Sequence, residues 1–158
     1  MTERKCGTCS RCCFTFKLPE LHKPAHVWCR FCDHENGKGC KIYTDPRKPE
    51  ICSTYKCMWL DGTLPEEAHP NRLGAYFSWS PKQSWLVNCF LDSDRSASAP
   101  AVEDVIDVLH MAGLDVRVIQ QGQRNQYLAA SRRKPRDAGA DLYRLNAILA
   151  EKIRFDLV

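Results

Sequence analysis

The sequence has no long hydrophobic run. No part of its 158 residues approaches the ~18 consecutive apolar residues that a membrane-spanning helix requires. The opening residues, Met1 to Cys6, contain no apolar segment of the kind that a signal peptide carries. We therefore expect a cytoplasmic protein that makes no use of a membrane and whose thiols are kept reduced.

Regularly spaced apolar residues are scarce in the first sixty positions. Leu18, Leu21, Val27, Trp28 and Phe31 are too few to form a core. Burial of so little apolar surface does not offset the entropy lost when the segment becomes ordered. Something other than a hydrophobic core must hold this part of the chain.

Recognisable catalytic and nucleic-acid-binding patterns are also missing. No Ser/His/Asp order, phosphate-binding loop or paired-acid motif stands out, so an enzyme is the weaker interpretation. No recognition helix or RNA-binding motif occurs, which disfavours nucleic acid as a partner without excluding it. Positive charge is nevertheless concentrated: residues 1–60 carry eleven Lys and Arg against six Asp and Glu, whereas residues 61–158 carry twelve against thirteen.

Cysteine is what the sequence has in abundance. Nine of its ten cysteines lie in the first 57 residues, and four of them form the run Cys6-x₂-Cys9-x₂-Cys12-Cys13. In a reducing compartment, closely spaced cysteines bind metal more often than they form bridges. Disulfides at this spacing would also close loops too small to restrain the unfolded chain. The predicted metal ligands are the nine early cysteines: Cys6, Cys9, Cys12, Cys13, Cys29, Cys32, Cys40, Cys52 and Cys57.

So many thiols predict more than one metal ion. A structural zinc ion is closed by four ligands, and adjacent side chains such as those of Cys12 and Cys13 generally point apart, toward different ions. We expect two or three zinc ions with a mainly structural or metal-handling role. An iron–sulfur cluster for electron transfer or redox sensing is the alternative, because Cys6, Cys9 and Cys12 match the first three positions of a ferredoxin spacing.

Other residues could support such a site. His22, His26 and His34 could each replace a thiolate, although a surface or supporting role suits them better when nine thiols are present. Cys89 falls in an apolar strand and is expected to be a buried, inert thiol. Basic residues that could offset thiolate charge are Arg4, Lys5, Arg11, Arg30, Lys38, Lys41 and Lys56.

The chain as a whole predicts an α+β protein. In it, an irregular, metal-stabilised, cysteine-rich lobe (residues 1–60) packs on a second lobe (residues 61–158), which has an antiparallel sheet and two helices on one sheet face. The predicted strands are 73–80, 84–91 and 115–120, with 127–130 continuing or pairing with the last, and the predicted helices are 100–111 and 137–153. Residues 61–72 are predicted to be a connecting loop. We expect Phe77, Trp79, Trp85 and Phe90 in the core, and a protein partner for the second lobe.

The order of the cysteines resembles that of a known family. After CxxCxxCC come Cys29-x₂-Cys32, Gly39-Cys40-Lys41-Ile42-Tyr43, Pro49-x₂-Cys52 and Cys57. This order is similar to the YkgJ-type cysteine-cluster family, whose members are described as zinc- or iron-chelating domains. The resemblance covers about residues 5–60, and it departs where the family's Arg-Pro pair is split into Arg47-Lys48-Pro49. It implies metal binding by these cysteines and no particular reaction.

Overall fold

The computed structural model describes residues 3–130 and 138–156. The chain divides into two compact units, residues 1–56 and residues 57–158. Within the described residues, no helix combines the length and the apolar character needed to cross a membrane.

The first unit contains only short elements. They are α1 (Arg11–Thr15), a 3-10 turn (Pro19–Leu21), β1 (Cys32–Asp33), β2 (Gly39–Cys40) and α2 (Glu50–Thr54). Neither α1 nor α2 has a buried residue. Leu18 and Ile42 are buried, but few other large apolar side chains of the unit accompany them. The scarcity of regularly spaced apolar residues thus limits each element to a turn or two.

Backbone hydrogen bonds close the first unit where apolar contacts do not. The Cys29 amide donates to the Cys13 carbonyl oxygen over 3.1 Å. Leu18 and Lys23 exchange two backbone bonds of 2.9 and 3.0 Å. Strands β1 and β2 form a small antiparallel pair in which Cys32 lies opposite Cys40. Through these bonds, later parts of the first unit are held close to the segment that carries the cysteine run and to one another.

The second unit contains the longer elements. They are a 3-10 turn (Glu66–Ala68), α3 (Pro70–Leu73), β3 (Ala75–Trp79), β4 (Leu86–Leu91), α4 (Pro100–Met111), β5 (Asp115–Gln120), β6 (Gln126–Leu128) and α5 (Ala138–Asp156). The mixed α+β class and the existence of these strands and long helices are confirmed. Asp137, the first residue of the last predicted helix, lies outside the described residues.

The predicted loop over residues 61–72 is wrong in its second half, where α3 forms. Pro70 occupies the first helical turn, where its missing amide costs nothing. The ring Nδ1 of His69 accepts a hydrogen bond from the Asn71 amide over 3.1 Å. Gly74, with φ of 68°, ends the helix in the left-handed conformation.

The four-stranded sheet has the order β3-β4-β5-β6 and is not fully antiparallel. The two outer pairs, β3–β4 and β5–β6, are antiparallel, but the central pair β4–β5 is parallel. The prediction of an antiparallel sheet is therefore wrong at its centre. Parallel neighbours need a crossover of a dozen residues or more, and α4 with its flanking loops supplies one.

One face of the sheet and the two long helices share the hydrophobic core. Phe77, Cys89 and Val118 stand side by side in the strand register, and all three are buried. Residues of α4 and α5 such as Leu109 and Leu149 join the same cluster. Trp85 is 38% exposed, so its predicted place in the core is wrong: it lies just before β4 begins. Phe90 alternates to the opposite face and stacks on Tyr76 at 4.7 Å.

Candidate metal centre

Short turns place the cysteines of the first unit. The Cys9 amide donates to the Cys6 carbonyl oxygen over 2.8 Å, and the Cys32 amide donates to that of Cys29 over 2.9 Å. Each CxxC segment is therefore a closed turn. Of the remaining cysteines in the unit, Cys12 and Cys13 lie on α1, Cys40 on β2 and Cys52 on α2.

These turns bring the thiols of the first unit together. Electrostatic interactions connect Cys52 with Cys12, Cys29 and Cys40, and others connect Cys13 with Cys32 and Cys40. We use the name thiol cluster for the eight cysteines of this unit: Cys6, Cys9, Cys12, Cys13, Cys29, Cys32, Cys40 and Cys52.

The remaining two members are connected to this set through neighbours. Cys9 interacts electrostatically with Cys12. Cys6 shares a hydrogen bond with the Tyr43 hydroxyl, and Tyr43 also interacts with Cys40.

Gly39 allows the first CxxC turn to approach β2. Its φ of 72° lies in the left-handed region. A Cβ added at this position would lie 2.7 Å from the Gly7 carbonyl oxygen, well inside van der Waals contact. Glycine is therefore required here for both backbone conformation and space.

The adjacent cysteines of α1 do not behave as expected. The Cys12 and Cys13 thiols share a hydrogen bond, so the prediction that their side chains point apart is wrong. The hydrogen bond from Cys13 lowers the pKa of Cys12 to about 7, although burial opposes this effect. The same bond, together with burial, raises the pKa of Cys13. The hydrogen bond therefore favours the thiolate form of Cys12 and the protonated form of Cys13.

Burial keeps several other thiols protonated. It is the main cause of the raised pKa of Cys9, Cys32 and Cys40, and it raises the pKa of Cys52 to about 11. A cation that binds among them would stabilise the thiolate forms and release protons.

Two lysines that the sequence did not single out face the thiol cluster. Lys23 is only 6% exposed and interacts with Cys29, Cys13, Cys52 and Cys12. Lys48 is partly buried, interacts with Cys12, Cys40 and Cys52, and lies over the Tyr43 ring with its Nζ 3.9 Å from the centroid. No periodicity or motif marks either residue.

Only part of the expected basic set has a described role of this kind. Arg11 interacts with Cys9 as expected. Lys41 pairs instead with Asp33, with 3.9 Å between Nζ and the carboxylate oxygen, and Arg30 lies over the Phe31 ring at 5.0 Å. Beside Arg11, the positive charge near the sulfurs therefore includes Lys23 and Lys48, which only the tertiary fold brings close to the cysteines.

Two of the three histidines form aromatic contacts. His34 stacks on Trp28 with 3.9 Å between ring centroids and 4° between planes, and its buried Nδ1 has no hydrogen-bond partner. His26 meets the edge of Phe14 at 5.8 Å. His22 has a positive φ of 51° and follows the 3-10 turn.

The last two cysteines belong to the second unit. Cys57 is partly buried against the hydrophobic core of that unit. Cys89 is 0% exposed, and burial raises its pKa to about 12. The expectation of a buried thiol at Cys89 is confirmed.

The donor chemistry of the thiol cluster suits a thiophilic metal, since no disulfide joins any of the ten cysteines. The arrangement of the sulfurs is not yet a coordination shell. Within residues 3–130 and 138–156, no three Cys, His, Asp or Glu side chains stand close enough to hold an ion as they are placed.

Comparisons with known proteins return no match, whether with family models, with curated proteins or with solved structures. The resemblance to the YkgJ-type family therefore depends on the spacing of the cysteines and on the few residues that accompany them in the sequence.

Proposed function

We propose that this chain is a metal-binding protein whose early cysteines hold two or three zinc ions in a polynuclear thiolate site. The proposed ligands are the thiol cluster and, from the cysteine spacing, Cys57. The observation that carries the proposal is the gathering of eight thiols in one small unit with few other means of holding its fold.

The weak core of the first unit supports a structural role for the metal. With α1 and α2 devoid of buried residues, the unit has little apolar surface to stabilise it. The free energy of zinc binding to thiolates is large enough to serve as folding free energy. Bound ions would draw the sulfurs from their present separations into closed four-ligand sites, which is the usual form of structural zinc.

The second candidate is an iron–sulfur cluster. The spacing of Cys6, Cys9 and Cys12 favours it, and four thiolates serve iron as well as zinc. A protein of this kind would transfer electrons or sense redox conditions. The two candidates differ in colour, because zinc thiolates are colourless and iron–sulfur clusters absorb visible light.

Elemental analysis and a visible spectrum of anaerobically purified protein test the proposal. We expect two or three zinc atoms per chain and no visible absorbance. Brown protein that contains iron and acid-labile sulfide would favour the second candidate. Protein purified without metal that also fails to take up zinc or iron would overturn both.

Matched cysteine variants locate the site. Cys40→Ser removes a member of the thiol cluster, and we expect the zinc content to fall by at least one atom per chain. Cys89→Ala removes a thiol buried in the second unit and serves as the control, with zinc content unchanged. Equal losses from both variants would count against the assignment.

The proposal also covers the location, the family and the partner of the protein. We place it in the cytoplasm, where thiols stay reduced, and assign it to the YkgJ-type family on its cysteine order. The second unit, with its own core, would recruit a protein partner. No sequence motif, and no feature of residues 3–130 and 138–156, favours a catalytic role or a nucleic-acid partner.

A further inference from the structure

The side chain of Lys23 is buried and fully engaged. Its Nζ donates to the carbonyl oxygens of Phe14 and Pro24, each over 3.1 Å, and to that of Phe16. A neutral amine has two N–H bonds, whereas an ammonium has three. Three carbonyl acceptors therefore favour the protonated, charged form of this lysine, whereas burial acts against it and lowers the pKa of Lys23.

The position of this charge within the unit is specific. Phe14 and Phe16 lie one and three residues after Cys13. The Cys13 carbonyl oxygen, just before them, accepts a hydrogen bond from the Cys29 amide. Lys23 thus stabilises the backbone conformation beside the two cysteines of α1. Its charge also interacts with thiols from three separate places in the chain, among them Cys13, Cys29 and Cys52.

Isolated buried lysines are costly, because the charged form loses its hydration. Carbonyl oxygens offset part of this loss, but their dipoles carry no net charge. The side chains that interact electrostatically with Lys23 are the thiols Cys29, Cys13, Cys52 and Cys12, which carry the opposite charge only once they are deprotonated. A closed zinc site with four thiolates has a net charge of about −2, so it would supply the missing partner.

We propose that Lys23 is the internal counter-cation of the metal–thiolate site and positions the loop that follows Cys13 around it. This inference rests on the proposed function. Lys48 is the peripheral counterpart: it faces Cys12, Cys40 and Cys52 from a partly exposed position on the Tyr43 ring. Solvent and salt screen a peripheral charge of this kind far more than a buried one.

The test is a competition titration of zinc between a chromophoric chelator and the full-length protein, under anaerobic conditions and at two ionic strengths. Lys23→Met and Lys23→Gln remove the charge, and Gln keeps two donors. Lys23→Arg keeps the charge. Lys48→Met removes the peripheral charge, and Lys17→Met is the control at an exposed position.

We expect Lys23→Met and Lys23→Gln to weaken zinc binding by about tenfold or more at both ionic strengths. Lys23→Arg should retain most of the affinity. Lys48→Met should weaken binding at low salt only, and Lys17→Met should have no effect. If Lys23→Met fails to fold, the contrast between the Gln and Arg variants decides the question.

Wild-type affinity in Lys23→Gln would overturn the counter-cation role, since it would show that donors alone suffice. An affinity lost equally in Lys23→Arg and Lys23→Gln would also overturn it. If the wild-type protein itself binds no zinc, the proposed function fails and this inference falls with it, which is a different result from unchanged affinity in the variants.

Discussion

At the scale of single residues, the first unit depends on positions whose physical role is visible only in the folded chain. Gly39 is one of them: its absent side chain lets β2 lie against the Gly7 carbonyl oxygen. Gly37 lies two residues earlier in the same hairpin and has a similar φ of 64°, but a Cβ there would meet nothing within 4 Å. The two glycines share a positive φ and differ in the space around them.

Replacement of these two glycines by alanine should separate the energetic cost of the backbone conformation from the cost of the steric clash. Gly37→Ala should lower the free energy of unfolding by about 1 kcal/mol, from the backbone alone. Gly39→Ala adds a clash with backbone and should cost about 2–4 kcal/mol. Denaturant titration, monitored by hydrogen exchange in residues 29–40, measures both. Equal costs would show that the Gly7 contact is unimportant.

The residue scale also marks a limit of sequence-based prediction. Cys89 could be recognised as buried because it lies within an apolar strand. Lys23 could not, since its burial depends on three carbonyl groups that converge only after the chain has folded back between Cys13 and Cys29. The Cys12–Cys13 contact was missed because a general rule for neighbouring side chains was applied to a pair that shares a hydrogen bond.

At the scale of elements, the second unit was more predictable than the first. The helix at Pro100–Met111 and the strand at Asp115–Gln120 have the predicted bounds, because apolar periodicity and the flanking Pro and Gly determine them locally. The pairing of β4 with β5 was not predictable in this way. Periodicity identifies a strand, whereas its neighbour and direction depend on where α4 leads the chain.

Helix α4 offers a test of the core with an internal control. Leu109 is 0% exposed and Met111, two residues later, is 49% exposed. Leu109→Ala should lower the free energy of unfolding by about 2–5 kcal/mol, because it leaves a cavity beneath the sheet. Met111→Ala should change it by less than about 0.5 kcal/mol. Thermal or chemical unfolding measures the difference, and similar values for the two variants would contradict the packing of α4.

At the scale of the whole molecule, the two units differ in what stabilises them. The second contains the cluster of buried apolar residues drawn from its sheet and its long helices. The first has closed turns, thiols and a buried lysine. If metal holds the first unit, the two units should respond differently to its removal.

Chelation of metal in the full-length protein should therefore act on one unit. We expect amide protons in residues 9–40 to lose their protection against hydrogen exchange, while those of β4, β5 and α4 keep theirs. Addition of zinc should restore the original pattern. Uniform loss of protection in both units, or no loss in the first, would contradict a structural role for the metal.

The contact between Gly39 and the turn at Gly7 has a consequence for synthesis of the chain. Translation proceeds from the N-terminus, so Cys6 and Cys9 leave the ribosome before the strand on which their turn lies has emerged. During that interval, these thiols are open to oxidants and to any metal carrier nearby. The emergence of β2 therefore determines when the Cys6–Cys9 turn becomes covered, and slow elongation during that interval would lengthen its exposure.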